Sequence, residues 1–139
     1  MKALTIRQPH AWAIARGWKT IENRSQPTNH RGPLAVHAAK LWDEEPEQAL
    51  RFVVRTARAQ GAQLPRSVQH DLPYTDTGLV IATVDLVDVC TAQLRGEACA
   101  CGPWARPGQT HWQLANARTV DHPFPARGQQ YLFDVDIPT

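Results

Sequence analysis

The 139-residue sequence lacks the motifs that several large enzyme classes require. It has only two serines, Ser25 and Ser67, and neither lies in a Gly-x-Ser-x-Gly turn that presents a nucleophilic hydroxyl. The His-Glu-x-x-His motif of zinc proteases and the glycine-rich loops that bind ATP or dinucleotide phosphates are also absent. A serine-triad hydrolase is therefore not expected, and we predict no cofactor.

Long apolar runs are missing too. No stretch approaches the roughly eighteen apolar residues of a membrane span, and the opening MKALTIRQP has no extended apolar signal core. We therefore predict no membrane association and no export. The three cysteines are an odd number, which disfavours a secreted disulfide framework and suits a reducing, cytoplasmic location.

The cysteines also raise the question of a metal site. Cys90, Cys99, Cys101 and His111 are residue types that bind zinc in tetrahedral sites. However, their spacing contains no Cys-x-x-Cys pair, and Cys-x-Cys fits the usual structural zinc motifs poorly. The spacing favours cysteines that serve as small apolar residues or exposed thiols, so we predict no metal.

What the chain does have is an ordinary globular composition with an uneven charge distribution. Its length predicts a single domain over residues 1–139, and its apolar and charged fractions are 42% and 20%. The net charge is only +2, but residues 1–40 carry seven basic side chains and one acidic one. The remaining residues carry eight basic and twelve acidic side chains. This asymmetry predicts an anionic ligand near the N-terminal third.

The chemistry is concentrated in the run Gly17-Trp18-Lys19-Thr20-Ile21-Glu22-Asn23-Arg24. Side chains two apart share a face of a strand, so Glu22 and Arg24 are expected to point the same way. Lys19 has the opposite parity and can join them only from the Gly17-Trp18 turn or through a bulge. Such a turn would place a cation, a carboxylate and a guanidinium around one cavity. The alternative is a solvated edge strand with internal ion pairs.

The order of elements predicts an α+β fold with a curled sheet or a small mixed, mostly antiparallel β-barrel and two or three flanking helices. Strands are expected at 2–6, 19–24, 33–39, 78–89, 111–114, 117–120 and 130–136. Helices are expected at 10–16 and from 43 to about 60, each followed by a glycine. A turn-rich segment is expected at 122–128, where two prolines fall close together.

Two further residues have both a functional and a structural interpretation. Trp18 precedes Lys19 in a turn where full burial is hard to arrange, so it could stack on an unpaired base or cover the core. His37 interrupts an apolar strand, and a lone histidine there is more often a hydrogen-bonded core residue than a catalyst.

The ordered set of motifs resembles the ASCH domain of the PUA-like superfamily. The resemblance rests on the opening Ala3-to-Pro9 segment, on the Gly-x-Lys-x-x-Glu-x-Arg signature, on Arg31-Gly32-Pro33 and on His37-Ala38. It implies a small β-barrel whose cleft gathers the signature residues and binds RNA. Some members are enzymes, either ribonucleases or amidohydrolases that deacylate a modified cytidine.

For the amidohydrolases, the resemblance implies a catalytic Lys, a Thr three positions later and a distant Glu. Lys19 matches the first of these, whereas Glu22 stands at the Thr position, and Glu97 is the only acid in the region of the distant Glu. The chain therefore departs from the amidohydrolase pattern at the Thr position, and its counterpart of the distant Glu is not assigned.

Three hypotheses remain open. The first is binding of single-stranded RNA or a nucleotide through the ligand-binding candidates Arg7, Trp18, Lys19, Glu22, Arg24, Arg31 and His37. The second is a hydrolase in the same cleft, acting on RNA or an N-acylated nucleoside, with Lys19 and Glu22 catalytic. The third is a scaffold whose charges only stabilise the fold. The sequence identifies no protein partner.

Overall fold

The computed structural model describes residues 1–71 and 74–138 of the chain. Within these residues the fold is mixed α+β, with one six-stranded sheet and two α-helices. The strands are β1 (Lys2–Ile6), β2 (Ile21–Arg24), β3 (Gly32–Ala38), β4 (Leu79–Cys90), β5 (Thr110–Pro125) and β6 (Phe133–Asp134). The α-helices are α1 (His10–Ala15) and α2 (Pro46–Ala59), and short 3-10 helices occupy Val68–His70 and Ala92–Arg95. No helix in the described part of the chain is long and apolar enough to span a bilayer.

The sheet is open, so the predicted closed barrel is wrong. Its strand order is β2-β5-β4-β3-β1-β6, with β1 parallel to β3 and the other pairs antiparallel. The edge strands β2 and β6 do not pair with each other within the described residues. The physical reason is the length of β6: the predicted strand over 130–136 contributes only Phe133–Asp134 to the ladder. Two residues are too few to close a barrel.

The second difference concerns β5, a single 16-residue strand where two short strands and a turn-rich segment were predicted. Its pairing with β4 shifts register three times, and Asn116 has a left-handed backbone with φ of 55°. Only Thr110–Gln113 pairs with β2, so Pro123 and Pro125 lie where β5 has one neighbour. Proline has no amide hydrogen to donate to a second neighbouring strand, so it is tolerated where a strand has only one neighbour.

Helix α1 is short and depends on tertiary contacts. Six residues are too few for a stable isolated helix. The Gln8 side-chain oxygen accepts a hydrogen bond from the Trp12 amide at 2.8 Å, which satisfies one unpaired donor of the first turn. Asp71 accepts hydrogen bonds from the Trp12 indole at 2.6 Å and from the Arg16 guanidinium at 2.8 and 2.7 Å. These contacts fix the orientation of the helix that carries His10.

Two apolar clusters lie on either side of α1. The first joins Ile14 to the inner face of the sheet, including Leu34 and Ile81. The second joins Trp12 to Val53 of α2 and to other aromatic side chains. Residues Ala11–Ala15 of helix α1 are therefore buried. Only its first residue, His10, is partly exposed, and it lines a cleft at the end of the sheet.

Candidate functional site

A cleft of about 1140 Å³, open to solvent, lies at one end of the sheet. Its walls come from the end of β1, the start of α1, β2, the segment 39–43 and the segment 125–130. Two acidic residues, Glu22 and Asp43, line it. The lining cations are Arg7, Lys19, Arg24, Lys40, Arg106 and Arg127. The lining is therefore strongly positive even though the whole chain is nearly neutral.

Lys19 is the most buried of these cations, with 5% of its surface exposed. It reaches the cleft because α1 ends in a glycine: Gly17 has φ of 78°, a left-handed conformation that a residue with a side chain rarely adopts. The amides of Trp18 and Lys19 both donate to the Ala13 carbonyl at 3.1 Å. This turn supplies the change of direction that strand alternation alone does not, so Lys19 lines the same cleft as Glu22 and Arg24.

Lys19, His10 and Asp43 form a continuous hydrogen-bonded chain. His10 Nε2 lies 3.1 Å from the Asp43 carboxylate, and the Lys19 ammonium lies 2.9 Å from His10 Nδ1. An ammonium can only donate, so Nδ1 accepts from Lys19 and Nε2 carries the hydrogen that Asp43 accepts. His10 is therefore the neutral tautomer that connects a carboxylate to a lysine.

The pKa values agree with this assignment. Burial, followed by the charge of Lys19, lowers the pKa of His10 to about 4. Burial also lowers the pKa of Lys19, which outweighs the opposing attraction of Glu22, and Arg106 lowers it further. Burial alone would raise the pKa of Asp43, but hydrogen bonds from the Glu45 amide and from His10 lower it. Near neutral pH Asp43 is therefore a carboxylate and His10 a neutral imidazole, while burial disfavours the charged form of Lys19.

Glu22 and Arg24 occupy one side of β2, as the alternation predicts. Their closest side-chain atoms are 3.5 Å apart, and the Arg24 guanidinium also donates to the Gln130 carbonyl at 3.0 Å. Arg24 lies 6.0 Å from the ring centre of Trp112, within the range of a cation–π contact. Glu22 is buried and Arg24 is half-buried, so Arg24 remains accessible from the cleft.

His37 lines the cleft from β3 but is almost completely buried. Its Nε2 lies 2.7 Å from the Ala126 carbonyl, which can only accept, and its Nδ1 lies 3.1 Å from the Thr5 hydroxyl. A Cβ added at Gly128 would come within 3.0 Å of the ring, so that segment packs directly on His37. These contacts favour the structural interpretation, in which His37 holds the 125–130 wall in place.

The other predicted site residues divide into two groups. Arg7 lines the cleft and makes a long, exposed ion pair of 3.9 Å with Glu44. Trp18 and Arg31 lie outside the cleft: Trp18 packs edge-on against Trp12 with ring centres 4.9 Å apart. Arg31 donates to the Thr28 and His30 carbonyls on the surface.

Sequence reasoning missed His10, Asp43, Arg106 and Arg127 as lining residues. His10 had a local signal, because a polar residue at the start of a buried helix needs a partner. Asp43 lies between β3 and α2, and Arg106 and Arg127 come from loops far along the chain. Glu97, the candidate distant acid, is exposed and contacts Arg95, whereas the carboxylates that attract the Lys19 ammonium are those of Glu22 and Asp43.

The fold and the cleft define an α+β domain with an open mixed sheet and a cationic cleft at one end. The chain belongs to the ASCH domain family, whose sequence model matches residues 4–124. It is similar to activating signal cointegrator 1 of Homo sapiens, with 34% identity over 91 residues that cover 65% of this chain. The Mus musculus protein of the same name is 33% identical over 91 residues. The matched region spans only 14% of the length of each relative.

Proposed function

We propose that the cleft binds RNA or a nucleotide, with Lys19, Arg24 and Arg106 as the principal phosphate contacts. The observation that carries this proposal is the pairing of Lys19 with a neutral imidazole instead of a carboxylate. A buried ammonium without a directly bonded anion gains most from a ligand that supplies one. Of its three donors, one goes to His10 among the described contacts, which leaves capacity for phosphate oxygens.

The charge of the lining supports an extended polyanion. Six cationic side chains and two carboxylates line the cleft, and a concave surface lined mainly by one sign of charge concentrates counter-ions. Membership of the ASCH family points the same way, since the resemblance implies RNA binding. Guanidinium groups also offer flat surfaces on which unpaired bases stack, a role for which Arg24 and Arg106 are better placed than Trp18.

The size of the cleft favours a strand over a single nucleoside. Small-molecule sites usually enclose roughly 300–1,000 Å³ and bury most of the ligand. The cleft here measures about 1140 Å³ and opens to solvent. It therefore suits a segment of single-stranded RNA better than an enclosed nucleoside.

Fluorescence anisotropy with a labelled single-stranded RNA at several salt concentrations tests the proposal. Three phosphate contacts predict a slope of about −2 for log K against log salt, hence roughly a 15-fold loss of affinity between 50 and 200 mM salt. Arg106→Gln is expected to reduce the magnitude of that slope by about 0.7. The matched control is Arg51→Gln, which removes an exposed guanidinium on α2 away from the cleft. Affinity that ignores salt, or equal slopes for all variants, would contradict the proposal.

A second candidate function is hydrolysis in the same cleft, and one observation favours it. The Asp43–His10–Lys19 chain couples a carboxylate, a neutral imidazole and a lysine whose pKa is lowered. Such a chain could move a proton to or from a bound substrate. In this mechanism Lys19 is the proton shuttle, and Glu22 activates water.

Incubation with RNA and with N-acylated nucleosides separates the two functions. Turnover by the wild-type protein that Lys19→Met abolishes and Arg51→Gln retains would support catalysis. Turnover that is equal in the wild-type protein and Lys19→Met would exclude Lys19 from the mechanism. RNA binding without turnover of either substrate class would exclude the hydrolase function and retain the binding function.

A further inference from the structure

Three cysteines and one histidine converge in a second cluster built from β4, β5 and the loop between them. One potential ligand atom from each of Cys90, Cys99, Cys101 and His111 lies within 4.8 Å of all the others. Cys99 Sγ lies 3.4 Å from His111 Nδ1. The cluster shares no ligand with the residues that line the cleft.

The backbone explains why residues with poor spacing in the sequence meet. Cys90 ends β4 and pairs directly across the ladder with His111 of β5, so their side chains are neighbours on one face. The connecting loop then folds back over this pair. Gly96 ends its 3-10 helix with φ of 74°, and Gly102 follows Cys101 with φ of 94°. These two left-handed residues let Cys99 and Cys101 turn back to the strand ends.

The spacing of the four atoms is close to a tetrahedral zinc shell. Zn–S bonds of about 2.3 Å and Zn–N bonds of about 2.0–2.1 Å place tetrahedral ligands roughly 3.5–3.8 Å apart. Cys99 Sγ and His111 Nδ1 are 3.4 Å apart, and no pair of ligand atoms in the cluster is farther apart than 4.8 Å. The three cysteines are half-buried, and side-chain rotations that shorten the longest separation by about 1 Å would close the shell.

The surroundings of the cluster orient His111 as a metal ligand. His111 is fully buried, and its Nε2 lies 2.6 Å from the Arg106 carbonyl. A carbonyl can only accept, so Nε2 carries the hydrogen and the lone pair of Nδ1 faces Cys99. A backbone carbonyl that orients the second ring nitrogen is the usual support of a zinc-bound histidine. Side-chain amides of Gln93 and Gln113 lie 3.4 and 3.9 Å from the sulfurs of Cys99 and Cys101.

We propose that Cys90, Cys99, Cys101 and His111 bind one structural Zn²⁺ ion. Three thiolates and an imidazole suit zinc and exclude magnesium and calcium, which prefer oxygen ligands. Four protein ligands fill a tetrahedral shell and leave no position for substrate, which makes the site structural.

The ion would tie the loop of residues 91–109 to two strands of the sheet. That loop carries Arg106. The Arg106 carbonyl contacts His111, and the Arg106 amide donates to the Asn23 side chain at 2.8 Å. Arg106 also lines the cleft. Zinc would therefore fix one wall of the cleft from outside it.

Metal analysis of untagged protein, produced with zinc in the medium and purified under reducing conditions, is the first test. One zinc per chain by mass spectrometry is expected. Cobalt added to the metal-depleted protein is expected to give the intense visible bands of tetrahedral coordination and a thiolate-to-cobalt charge-transfer band. Protein that contains no zinc and takes up no cobalt would overturn the proposal, whatever the result of the RNA titrations.

Variants locate the site. Cys99→Ser changes a half-buried loop residue and is expected to lower cobalt affinity by more than roughly 100-fold, beyond the usual effect of an outer-shell change. His122→Asn is the matched control, because it removes an exposed imidazole of β5 outside the cluster. A chelator is expected to lower the Tm of wild type by on the order of 10 °C and that of Cys99→Ser very little. Equal cobalt affinity in all three proteins, or no chelator effect on wild type, would overturn the assignment.

Discussion

The sharpest prediction concerns the neutral histidine of the Asp43–His10–Lys19 chain. His10→Asn keeps an acceptor near the position of Nδ1 for the Lys19 ammonium but cannot be protonated. In the folded protein the pKa of His10 is about 4, against 6.5 for an ordinary histidine. Because the unfolded chain binds this proton more tightly, wild-type stability is expected to fall as the pH drops from 6.5 towards 4.

The size of the effect follows from that difference in pKa. Only 15% of the His10 side chain is exposed, so solvent screens the shift little. Between pH 7 and pH 4.5 the protonation linkage of one such group removes roughly 2–3 kcal/mol from the free energy of unfolding. The comparison stops at pH 4.5 because protonation of Asp43 also changes the free energy of unfolding at lower pH. The pKa of Asp43 is lowered from its ordinary value of 3.8, so stability due to its carboxylate is lost below about that pH.

Urea unfolding followed by tryptophan fluorescence at both pH values measures the effect. Wild type is expected to lose roughly 2–3 kcal/mol more than His10→Asn, because carboxylates elsewhere affect both proteins equally. His122→Asn removes an exposed imidazole and is expected to behave like wild type. If wild type and His10→Asn lose the same stability, His10 is not a buried neutral base and the proposed hydrogen-bonded chain is wrong.

Three further predictions test the cleft and its support. Glu22→Gln removes a carboxylate from the cleft and is expected to strengthen RNA binding by roughly 0.5–1 kcal/mol in anisotropy titrations; weaker binding would show that Glu22 contacts the ligand. Asp71→Asn is expected to lower the free energy of unfolding by about 2–3 kcal/mol, because it disrupts three hydrogen bonds around α1. Asp134→Asn breaks only an exposed ion pair and is expected to cost less than about 0.5 kcal/mol; equal costs would contradict this reasoning. Trp18→Leu is expected to leave RNA affinity unchanged, and a marked loss would restore its predicted stacking role.

Local chemistry made part of this structure predictable. The α+β class, β1, the short helix ending before Gly17 and the common face of Glu22 and Arg24 all follow from periodicity and from a glycine cap. The condition for Lys19 to join them, a turn at Gly17-Trp18, could also be stated in advance. The residues involved are close in sequence, so short-range rules decide their arrangement.

Long-range packing decides the rest. Arg106 reaches the cleft through a loop whose path depends on contacts with Asn23 and His111, and no local pattern encodes that path. Whether the sheet closes depends on whether the last segment forms a strand long enough to pair with β2 as well as β1, which alternation does not specify. Trp18 packs edge-on against the buried Trp12, a contact that no local pattern specifies.

The cysteine cluster illustrates the same limit. Spacing rules for zinc assume that ligands come in pairs from one short loop. Here Cys90 and His111 meet because two strands pair, and only Cys99 and Cys101 share a loop. The strand register brings Cys90 and His111 together, and the path of the loop adds Cys99 and Cys101.

We propose that the cleft lined by Lys19 and Arg24 receives the phosphates of a nucleic acid. A crystal structure of the protein with a short single-stranded RNA is the decisive experiment. We expect phosphate oxygens about 3 Å from Lys19 Nζ and from the guanidinium of Arg24 or Arg106. RNA ordered on another face of the protein, with the cleft empty, would contradict it.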